Sequence, residues 1–288
     1  MHPLRFGFKT SQRGSSWQEI LPCWLEGDQL GFDTAWMYDH FAEHRGEKST
    51  PCDDGWTLLS AALARTERLR GGLMVTGNTH RHPVLLAKIA ATVDHISNGR
   101  LEFGFGTGWS VPEHEMFGWK LPPMPERVRM FDDACEIIKR LWTEPSVTFS
   151  SDHYQLKDAV FDEKPVQKPW PHFVIGAQGE KLTLRSTAKY ADEWNWVGGS
   201  VEEYKRKLAA LEGHLADLGR DPATIQRSVQ LHATQRGGDE QEMLADAGEF
   251  LRLGVDHFIF GVARPYSAAQ VRRIWQEVVP AVRDLAGR

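Results

Sequence analysis

Short apolar runs alternate with longer amphipathic stretches from one end of the chain to the other. Eight runs rich in β-branched and aromatic residues predict strands at Leu4–Phe8, Thr34–Tyr38, Leu73–Thr76, Leu101–Phe105, Phe173–Ile175, Glu193–Val197, Ser228–Thr234 and His257–Phe260. Stretches with apolar residues three or four positions apart predict helices at Trp17–Leu30, Trp56–Thr66, Pro83–Ile96, Glu126–Trp142, Glu180–Tyr190, Val201–Leu218, Glu240–Leu253 and Ala268–Leu285. Because strands and helices alternate, the pattern predicts an α/β fold with a parallel sheet, and eight such units favour a closed (β/α)8 TIM barrel.

One segment interrupts this alternation. Residues 145–171 are rich in β-branched, aromatic and proline residues and follow neither period. We interpret the segment as an insertion before the fifth barrel strand, in the form of a short hairpin. No linker or low-complexity stretch divides the chain, so residues 1–288 are expected to form a single domain.

Composition narrows the class of protein. The chain has 288 residues and a net charge of −5, without a run of arginine or lysine, which argues against a nucleic-acid partner. The odd set of Cys23, Cys52 and Cys135 is widely spaced and indicates reduced thiols in a cytoplasmic protein. No stretch resembles a signal peptide or the roughly 20 apolar residues of a membrane span, so no membrane partner is expected.

In a barrel of this kind the active site lies at the carboxyl ends of the strands. The fourth predicted strand runs into glycines at Gly104, Gly106 and Gly108. Glycine has no Cβ and tolerates positive φ, so the backbone there can lie close to a flat or anionic ligand. A plain tight turn explains the same glycines equally well.

The loop after the fifth predicted strand suggests a phosphate site. Gly176, Ala177, Gln178 and Gly179 lead directly into a predicted helix. Backbone N–H groups at the amino end of a helix favour a bound phosphate. An ordinary βα loop remains the alternative.

Three ionisable side chains near strand ends are candidates for chemistry. His40 follows Asp39 at the end of the second predicted strand, and imidazole can serve as a general acid or base near neutral pH. Arg81 follows the third predicted strand and could neutralise a phosphate or a carboxylate. Glu113 could donate a proton or could simply stabilise the first turn of a helix. Each residue could equally have a structural role.

Taken in order, these motifs resemble the luciferase-like monooxygenase family. The resemblance covers nearly the whole chain and is closest to the branch of probable oxidoreductases that use coenzyme F420, a deazaflavin. It is carried by residues 31–36, 39–40, 75–83, 87–88, 91–94, 97–101, 104–109, 113, 164–167, 175–176 and 190–195.

The resemblance implies a barrel with an insertion, a cofactor ring over the strand ends, and hydride transfer to or from a small organic substrate. It also implies a homodimer and a non-proline cis peptide near Met74–Val75. His40 and Glu113 are then the candidate catalytic residues, and Trp109 and Trp194 are expected to wall the substrate pocket. The expected cofactor contacts are Asp39, Met74, Val75, Thr76, Asn78, Arg81, Gly106, Thr107, Gly108, Gly176, Ala177, Gln178 and Gly179.

One position departs from the family. Deazaflavin-dependent sugar-phosphate and alcohol dehydrogenases of this family pair the histidine after the second strand with a glutamate just after the glycine turn. This chain has Trp109 at that place, and the nearest carboxylate is Glu113, one helical turn later. Dehydrogenation of a sugar phosphate is therefore not implied.

Three alternatives stay open from the sequence. Bound FMN instead of F420 would imply monooxygenation with O₂, because the two flavins share a tricyclic ring, a ribityl chain and a phosphate. His80 and His82 form a His-x-His pattern found in some metal-dependent barrel hydrolases, although the sixth and eighth predicted strands offer no histidine at their carboxyl ends. A relative that binds the cofactor without catalysis is the third alternative.

Overall fold

The computed structural model describes residues 2–42, 50–232 and 240–287, with the side chains at 240–243 and 245 excepted. Parallel strands close into a barrel in the order β3-β2-β1-β11-β10-β9-β8-β5, with β4 beside β5 and a pairing of β3 with β5 completing the ring. The barrel strands are β1 (Arg5–Lys9), β2 (Thr34–Met37), β3 (Arg70–Leu73), β4 (Thr76–Gly77), β5 (Leu101–Gly106), β8 (His172–Gly176), β9 (Glu193–Trp196), β10 (Gln226–His232) and β11 (His257–Gly261). The predicted (β/α)8 barrel is confirmed.

Helices surround this barrel on the outside. They are α1 (Trp17–Leu30), α2 (Gly55–Arg65), α3 (Pro83–Ile96), α4 (Val111–Phe117), α5 (Met124–Thr143), α6 (Thr183–Tyr190), α7 (Val201–Asp217), α8 (Glu240–Arg252), α9 (Ala268–Arg273) and α10 (Val279–Leu285). A π-helical turn at Ile274–Val278 joins the last two, which were predicted as one helix. None of the helices in the described ranges is long and apolar enough to span a membrane.

Two elements differ from prediction in ways that affect the site. The short helix α4 was not among the helices predicted from periodicity, because its two buried side chains are polar and its apolar positions face solvent, although Glu113 does lie in its first turn as one interpretation had it. Helix α6 begins at Thr183, three residues later than expected. The seventh predicted strand extended to Thr234, and its last two residues lie outside the described ranges.

The interrupting segment forms a hairpin, as predicted. Strands β6 (Ser146–Ser150) and β7 (Gln155–Val160) pair antiparallel and form a separate two-stranded sheet. Tyr154, in the turn between them, reaches the barrel and its hydroxyl accepts a hydrogen bond from Asn78 Nδ2 at 3.3 Å.

The third barrel strand is split by a cis peptide between Met74 and Val75, at the place that the resemblance implied. The neighbouring strand accommodates this bend with glycines. A Cβ on Gly104 would lie 1.9 Å from the Leu73 carbonyl oxygen, and one on Gly106 would lie 2.8 Å from Val75 Cγ2. The first two glycines of the β5 turn are therefore required for packing between strands, whatever ligand approaches them.

The barrel interior is layered. Charged side chains fill the end where the strands begin, with Arg5, Glu102 and Glu193 in contact with one another. An apolar layer of Trp36, Met74, Val174 and Ile259 lies above them. The opposite end of the barrel therefore opens above an apolar floor, where the strands terminate. The cysteines are free thiols, as expected.

Candidate active site

A cavity of about 720 Å³ opens at the carboxyl ends of the barrel strands. This volume is within the usual range for small-molecule sites. Its lining residues follow β2, β4, β5, β8 and β9: Asp39, His40, Met74, Val75, Gly77, His80, Gly106, Thr107, Gly108, Trp109, Ser110, Glu113, Met124, Gly176, Ala177, Gln178, Gly179, Glu180, Lys181, Leu182, Thr183, Val197 and Lys207. Ten of the thirteen predicted cofactor contacts are among them. The fold therefore brings together, in one cavity, residues that are far apart in the sequence.

The two candidate catalytic residues are paired at one end of this cavity. His40 Nδ1 lies 2.9 Å from Glu113 Oε2. Helix α4 makes this contact possible, because Glu113 lies in its first turn and points back toward the end of β2. Backbone N–H groups of Phe41 and Ala42 donate to the other carboxylate oxygen. Glu113, which lies one helical turn after Trp109 in the sequence, therefore reaches His40.

Glu113 is held as a carboxylate. Burial alone would raise the pKa of this group, but hydrogen bonds from His40 and the Phe41 N–H, with the charges of His40 and His80, lower it to about 2. An ionised carboxylate only accepts hydrogen bonds, so His40 Nδ1 donates its proton to Glu113. In this arrangement Glu113 accepts hydrogen bonds and contacts His40, and whether it takes part in proton transfer stays a prediction.

We expected Arg81 to contact the cofactor, but it is not among the residues that line the cavity. Its guanidinium bonds Asp39 through two nitrogens, at 2.5 Å and 3.1 Å, and Asp54 at 3.0 Å. Burial would raise the pKa of Asp39, but the neighbouring His80 and the hydrogen-bonded, positively charged Arg81 lower it. Asp39 lines the cavity as an ionised carboxylate, and Arg81 neutralises its charge. Arg81 thus neutralises two aspartates, and the expectation that it meets a ligand anion is corrected.

Sequence reasoning did not assign His80 to the flavin site. Its side chain is buried between the two acids, with Nδ1 3.7 Å from Asp39 Oδ2 and Nε2 3.8 Å from Glu113 Oε2. The ring also packs 5.3 Å from Phe41 and from Trp119. His80 therefore lies between the Asp39 and Glu113 carboxylates, outside hydrogen-bond distance of both. The cluster of polar residues after the third strand was the available signal.

Three predicted contacts lie behind the cavity wall. Thr76 Oγ1 accepts a hydrogen bond from Trp56 Nε1 at 3.0 Å, and Asn78 is turned toward the hairpin. Trp194 is fully buried, donates to the Ala177 carbonyl at 2.9 Å and stacks on Tyr204. These three side chains support the wall, so their assignment to the cofactor or the substrate pocket is corrected. Trp109 does line the cavity, 5.6 Å from the His40 ring.

The loop after β8 differs from a simple helix-end phosphate site. The Gly179 N–H donates to Thr183 Oγ1 at 2.9 Å, so it is not directed at a ligand. The same loop brings Lys181 to the cavity, and helix α7 brings Lys207. Lys207 Nζ lies 3.0 Å from Glu180 Oε1. Positive charge at this end comes from lysine side chains that the motif did not indicate.

The metal-site alternative finds little support in the geometry. His82 Nδ1 accepts the Val84 N–H at the start of α3, so the two histidines of the His-x-His pattern do not converge. Ligand atoms of His80, Glu113 and His114 do lie within 4.8 Å of one another. Both ring nitrogens of His114 are engaged, however, by the Ser110 carbonyl and by Thr79 Oγ1.

The floor of the cavity suits a flat group with an anionic tail. A Cβ on Gly176 would lie 3.2 Å from Val75 Cγ1, and Gly106 is as close on the other side. The Val75 side chain therefore fills the space above Gly106 and Gly176, which have no side chains. The floor of the cavity is low and apolar as a result. With His40 at one end and Lys181 and Lys207 at another, these residues fit a planar, phosphate-bearing cofactor.

Relatives of this chain include enzymes whose names refer to coenzyme F420. An F420-dependent glucose-6-phosphate dehydrogenase of Microbacterium testaceum is 34% identical over 223 residues, covering 76% of this chain but only 64% of the relative. A phthiodiolone/phenolphthiodiolone dimycocerosates ketoreductase of Mycobacterium tuberculosis is 31% identical over 268 residues, covering 84% of this chain and 68% of the relative. The chain therefore spans less than two thirds of the dehydrogenase's length.

A solved structure of an F420-dependent secondary alcohol dehydrogenase, in complex with an F420-acetone adduct, shares the fold. Its TM-score is 0.86 at 20% identity, over 98% of this chain and 100% of that one. The family model described as luciferase-like monooxygenase matches residues 2–286. On this match, the chain belongs to the luciferase-like monooxygenase family.

Proposed function

We propose that the protein is an F420-dependent oxidoreductase that transfers a hydride between the deazaflavin and a small organic substrate. The observation that carries the proposal is the His40–Glu113 pair at the edge of the cavity. A flat apolar floor and the names of the relatives support the choice of cofactor. The homodimer, the single domain and the cytoplasmic location stay predictions.

The cavity residues divide by what they would hold. Met74, Val75 and the backbone of Gly106 and Gly176 would support the ring, and Lys181 with Lys207 would face the anionic tail. When bound, F420 supplies a ring carbon that accepts or donates a hydride. The protein supplies orientation and exclusion of water.

His40 would handle the proton that accompanies the hydride. Glu113 fixes Nδ1 as the protonated nitrogen, so Nε2 is the nitrogen through which His40 would exchange a proton with a substrate oxygen. Glu113 also stabilises the imidazolium that forms when His40 takes up that proton. The pair therefore supports dehydrogenation of an alcohol as well as reduction of a carbonyl.

Binding titrations test the cofactor first. Purified protein is titrated with F420 and with FMN at the same salt concentration, and flavin fluorescence is followed. We expect a dissociation constant for F420 in the micromolar range or below and at least tenfold weaker binding of FMN. Tighter binding of FMN would overturn the proposal in favour of monooxygenation with O₂, and binding of neither would remove the cofactor site altogether.

A charge-reversal variant locates the anionic tail. Lys181→Glu is expected to weaken F420 binding severalfold, with a smaller salt dependence, because one cation is lost from the cavity. Lys157→Glu, on the exposed face of the hairpin, is the matched control. Equal effects of the two substitutions would mean that the tail binds elsewhere.

A further inference from the structure

Glu180 places a negative charge at the end of the cavity that is assigned to the cofactor tail. It lines the cavity together with Lys181 and Lys207. Its carboxylate oxygen Oε1 lies 3.0 Å from Lys207 Nζ and 2.9 Å from Arg206 Nε. A carboxylate beside these cations reduces the attraction that they offer to a bound anion.

Glu180 is ionised and is held in place by helix α7. Hydrogen bonds from Lys207 and Arg206 lower its pKa. Arg206 is not among the cavity-lining residues, so it holds the carboxylate from the outer side. The His214 ring, on the same helix, contacts the Glu180 carbonyl oxygen at 2.7 Å. When Lys207 turns to a ligand phosphate, Arg206 therefore still keeps the Glu180 carboxylate beside that phosphate.

The tail end of the cavity carries one net positive charge. Lys181 and Lys207 contribute two positive charges, and Glu180 contributes one negative charge. The neighbouring backbone adds little, because the Gly179 N–H already donates to Thr183 Oγ1. A ligand group with a single negative charge therefore balances this end. A second negative charge meets no further lysine or arginine among the described lining residues.

The two candidate flavins differ in the charge of their phosphate. The terminal phosphate of FMN is a monoester, which carries a charge of about −1.5 to −2 at pH 7. The phosphate of F420 is a diester, which retains one ionisable group and one negative charge. Because Coulomb repulsion is proportional to charge, Glu180 opposes the monoester up to about twice as strongly as the diester.

We propose that Glu180 is a specificity-determining residue whose carboxylate favours a phosphate diester over a phosphate monoester at the tail end of the cavity, and so favours F420 over FMN. The inference rests on the proposed function, because it concerns the cofactor of that reaction. Glu180 lowers the affinity for both flavins, and it lowers the affinity for FMN more. Specificity is thus obtained by repulsion of the wrong ligand.

A charge series on one flavin ring tests the inference without turnover. Riboflavin, its cyclic phosphate diester and FMN have the same ring and carry no, one and about two negative charges. Their dissociation constants are measured by fluorescence titration for the wild type and for Glu180→Gln. We expect unchanged affinity for riboflavin, about threefold tighter binding of the diester and about tenfold tighter binding of FMN. The larger gain follows because doubling an interaction free energy squares its effect on the dissociation constant.

A second glutamate near the same helix provides the control. Glu202 lies in the first turn of α7, pairs with Lys205 at 2.7 Å and is not among the cavity-lining residues. Glu202→Gln should leave all three dissociation constants unchanged. An equal gain for the diester and for FMN in Glu180→Gln would show that the carboxylate gives way to any phosphate without selecting, which would overturn the inference. The absence of a gain for both ligands would overturn it as well.

F420 itself separates this inference from the proposed function. In Glu180→Gln, F420 should bind about threefold more tightly, and its advantage over FMN should fall about threefold. If F420 binds and this advantage does not change, the inference is wrong and the cofactor assignment stands. If F420 does not bind but the riboflavin series follows charge as expected, the proposed function is wrong, while Glu180 still selects the charge of a bound phosphate.

Discussion

Two clusters of histidines, arginines and carboxylates lie at opposite ends of the same barrel. The base cluster, where the strands begin, consists of Arg5, Glu102, His172, Glu193 and His257. The mouth cluster, where they end, consists of Asp39, His40, His80, Arg81 and Glu113. Glu102, His172 and Glu193 of the base cluster have ligand atoms close enough to suggest a metal site, as do His80 and Glu113 of the mouth cluster together with His114. Residue types alone do not tell them apart.

The base cluster is closed on itself. Glu193 accepts hydrogen bonds from His257 at 3.0 Å and from His172 at 3.1 Å, and Arg5 donates to Glu102 at 2.6 Å. Burial would raise the pKa of Glu193, but the charge of His257 and a hydrogen bond from His172 hold it well below its usual value. The apolar layer around Trp36 separates this end from the cavity.

Four of the five residues of the mouth cluster line the cavity, and among the five His40 has the most exposed side chain. Arg81 matches two aspartates and Glu113 holds Nδ1 of His40, but the His40 side chain itself remains 17% exposed and lines the cavity. His172 of the base cluster is also held by a carboxylate and is 25% exposed, but it does not line the cavity. The comparison teaches that a held imidazole on the wall of a cavity, rather than the presence or exposure of acids and histidines, distinguishes a candidate active site from a structural ion cluster. It predicts activity losses at one end and stability losses at the other.

Removal of the His40 imidazole is expected to have the largest effect. His40→Asn should lower kcat by about 10²–10⁴-fold, the usual contribution of a general acid or base. F420 affinity should change by less than about threefold, since the ring floor is untouched. Stopped-flow absorbance of F420 measures the first quantity and fluorescence titration the second.

Another histidine on the outside of the barrel provides the control. His95 is an exposed histidine on α3 whose ring contacts the Lys164 carbonyl. His95→Asn should leave both kcat and the affinity for F420 unchanged. Retention of most of the activity in His40→Asn would show that another group transfers the proton. His80 would then be the first to substitute, because it lies 3.8 Å from the same carboxylate.

Glu102→Gln is expected to remove ion pairs of the base cluster and so lower the stability of the fold, without changing the rate of turnover. Arg5 and Arg70 both donate to Glu102, so the substitution leaves buried charges without their partner, at a cost of about 3–5 kcal/mol. Urea unfolding at neutral pH measures the loss. Turnover per folded molecule should stay the same, and a selective loss of kcat would contradict the assignment of this cluster to stability.

The same residue gives a pH signature. Burial raises the pKa of Glu102, but the charges of Arg5, Arg70 and His172 lower it from 4.5 to about 2. A carboxylate with a lowered pKa stabilises the fold fully above its unfolded value, and that contribution is lost as the pH falls from 4.5 toward 2. The stability difference between the wild type and Glu102→Gln should therefore narrow over this interval.

Local patterns predicted most of the fold. The apolar periods of Trp17–Leu30 and Pro83–Ile96 gave helices with the same bounds in the structure. The resemblance placed the cis peptide at Met74–Val75 and His40 in the cavity. These features depend on residues close together in sequence, where period, glycine and proline act directly on the backbone.

Long-range pairing was beyond the sequence. Arg81 is matched by Asp39 and by Asp54, 42 and 27 residues away along the chain, and no local pattern indicates either partner. Trp194 lies on β9, where every position is buried, so alternation could not tell the cavity side from the helix side. Glu113 reaches His40 because it lies on α4. Periodicity did not indicate this helix, because its buried side chains are polar and its apolar side chains are exposed.

Lys9 offers the smallest and most specific test, because it belongs to neither cluster. It stands at the other end of β1 from Arg5, and Nζ donates to Gln230 Oε1 at 2.9 Å. Across the described ranges, no carboxylate lies within ion-pair distance of it. Burial lowers the pKa of Lys9 from 10.5 to about 8. Folding therefore favours the neutral amine, and the stability contribution that is present above pH 10.5 is lost as the pH falls through 8.

Lys9→Met should accordingly raise the free energy of unfolding at pH 7, by roughly 1–2 kcal/mol, because a partly buried ammonium group is replaced by an apolar chain of similar length. The gain should shrink as the pH approaches 10, where the wild-type amine is also neutral in the folded state. Urea unfolding at the two pH values measures both quantities. A variant that is less stable at pH 7 would mean that the ammonium group makes stabilising contacts beyond Gln230. Lys9 would then behave like the matched charges of the base cluster.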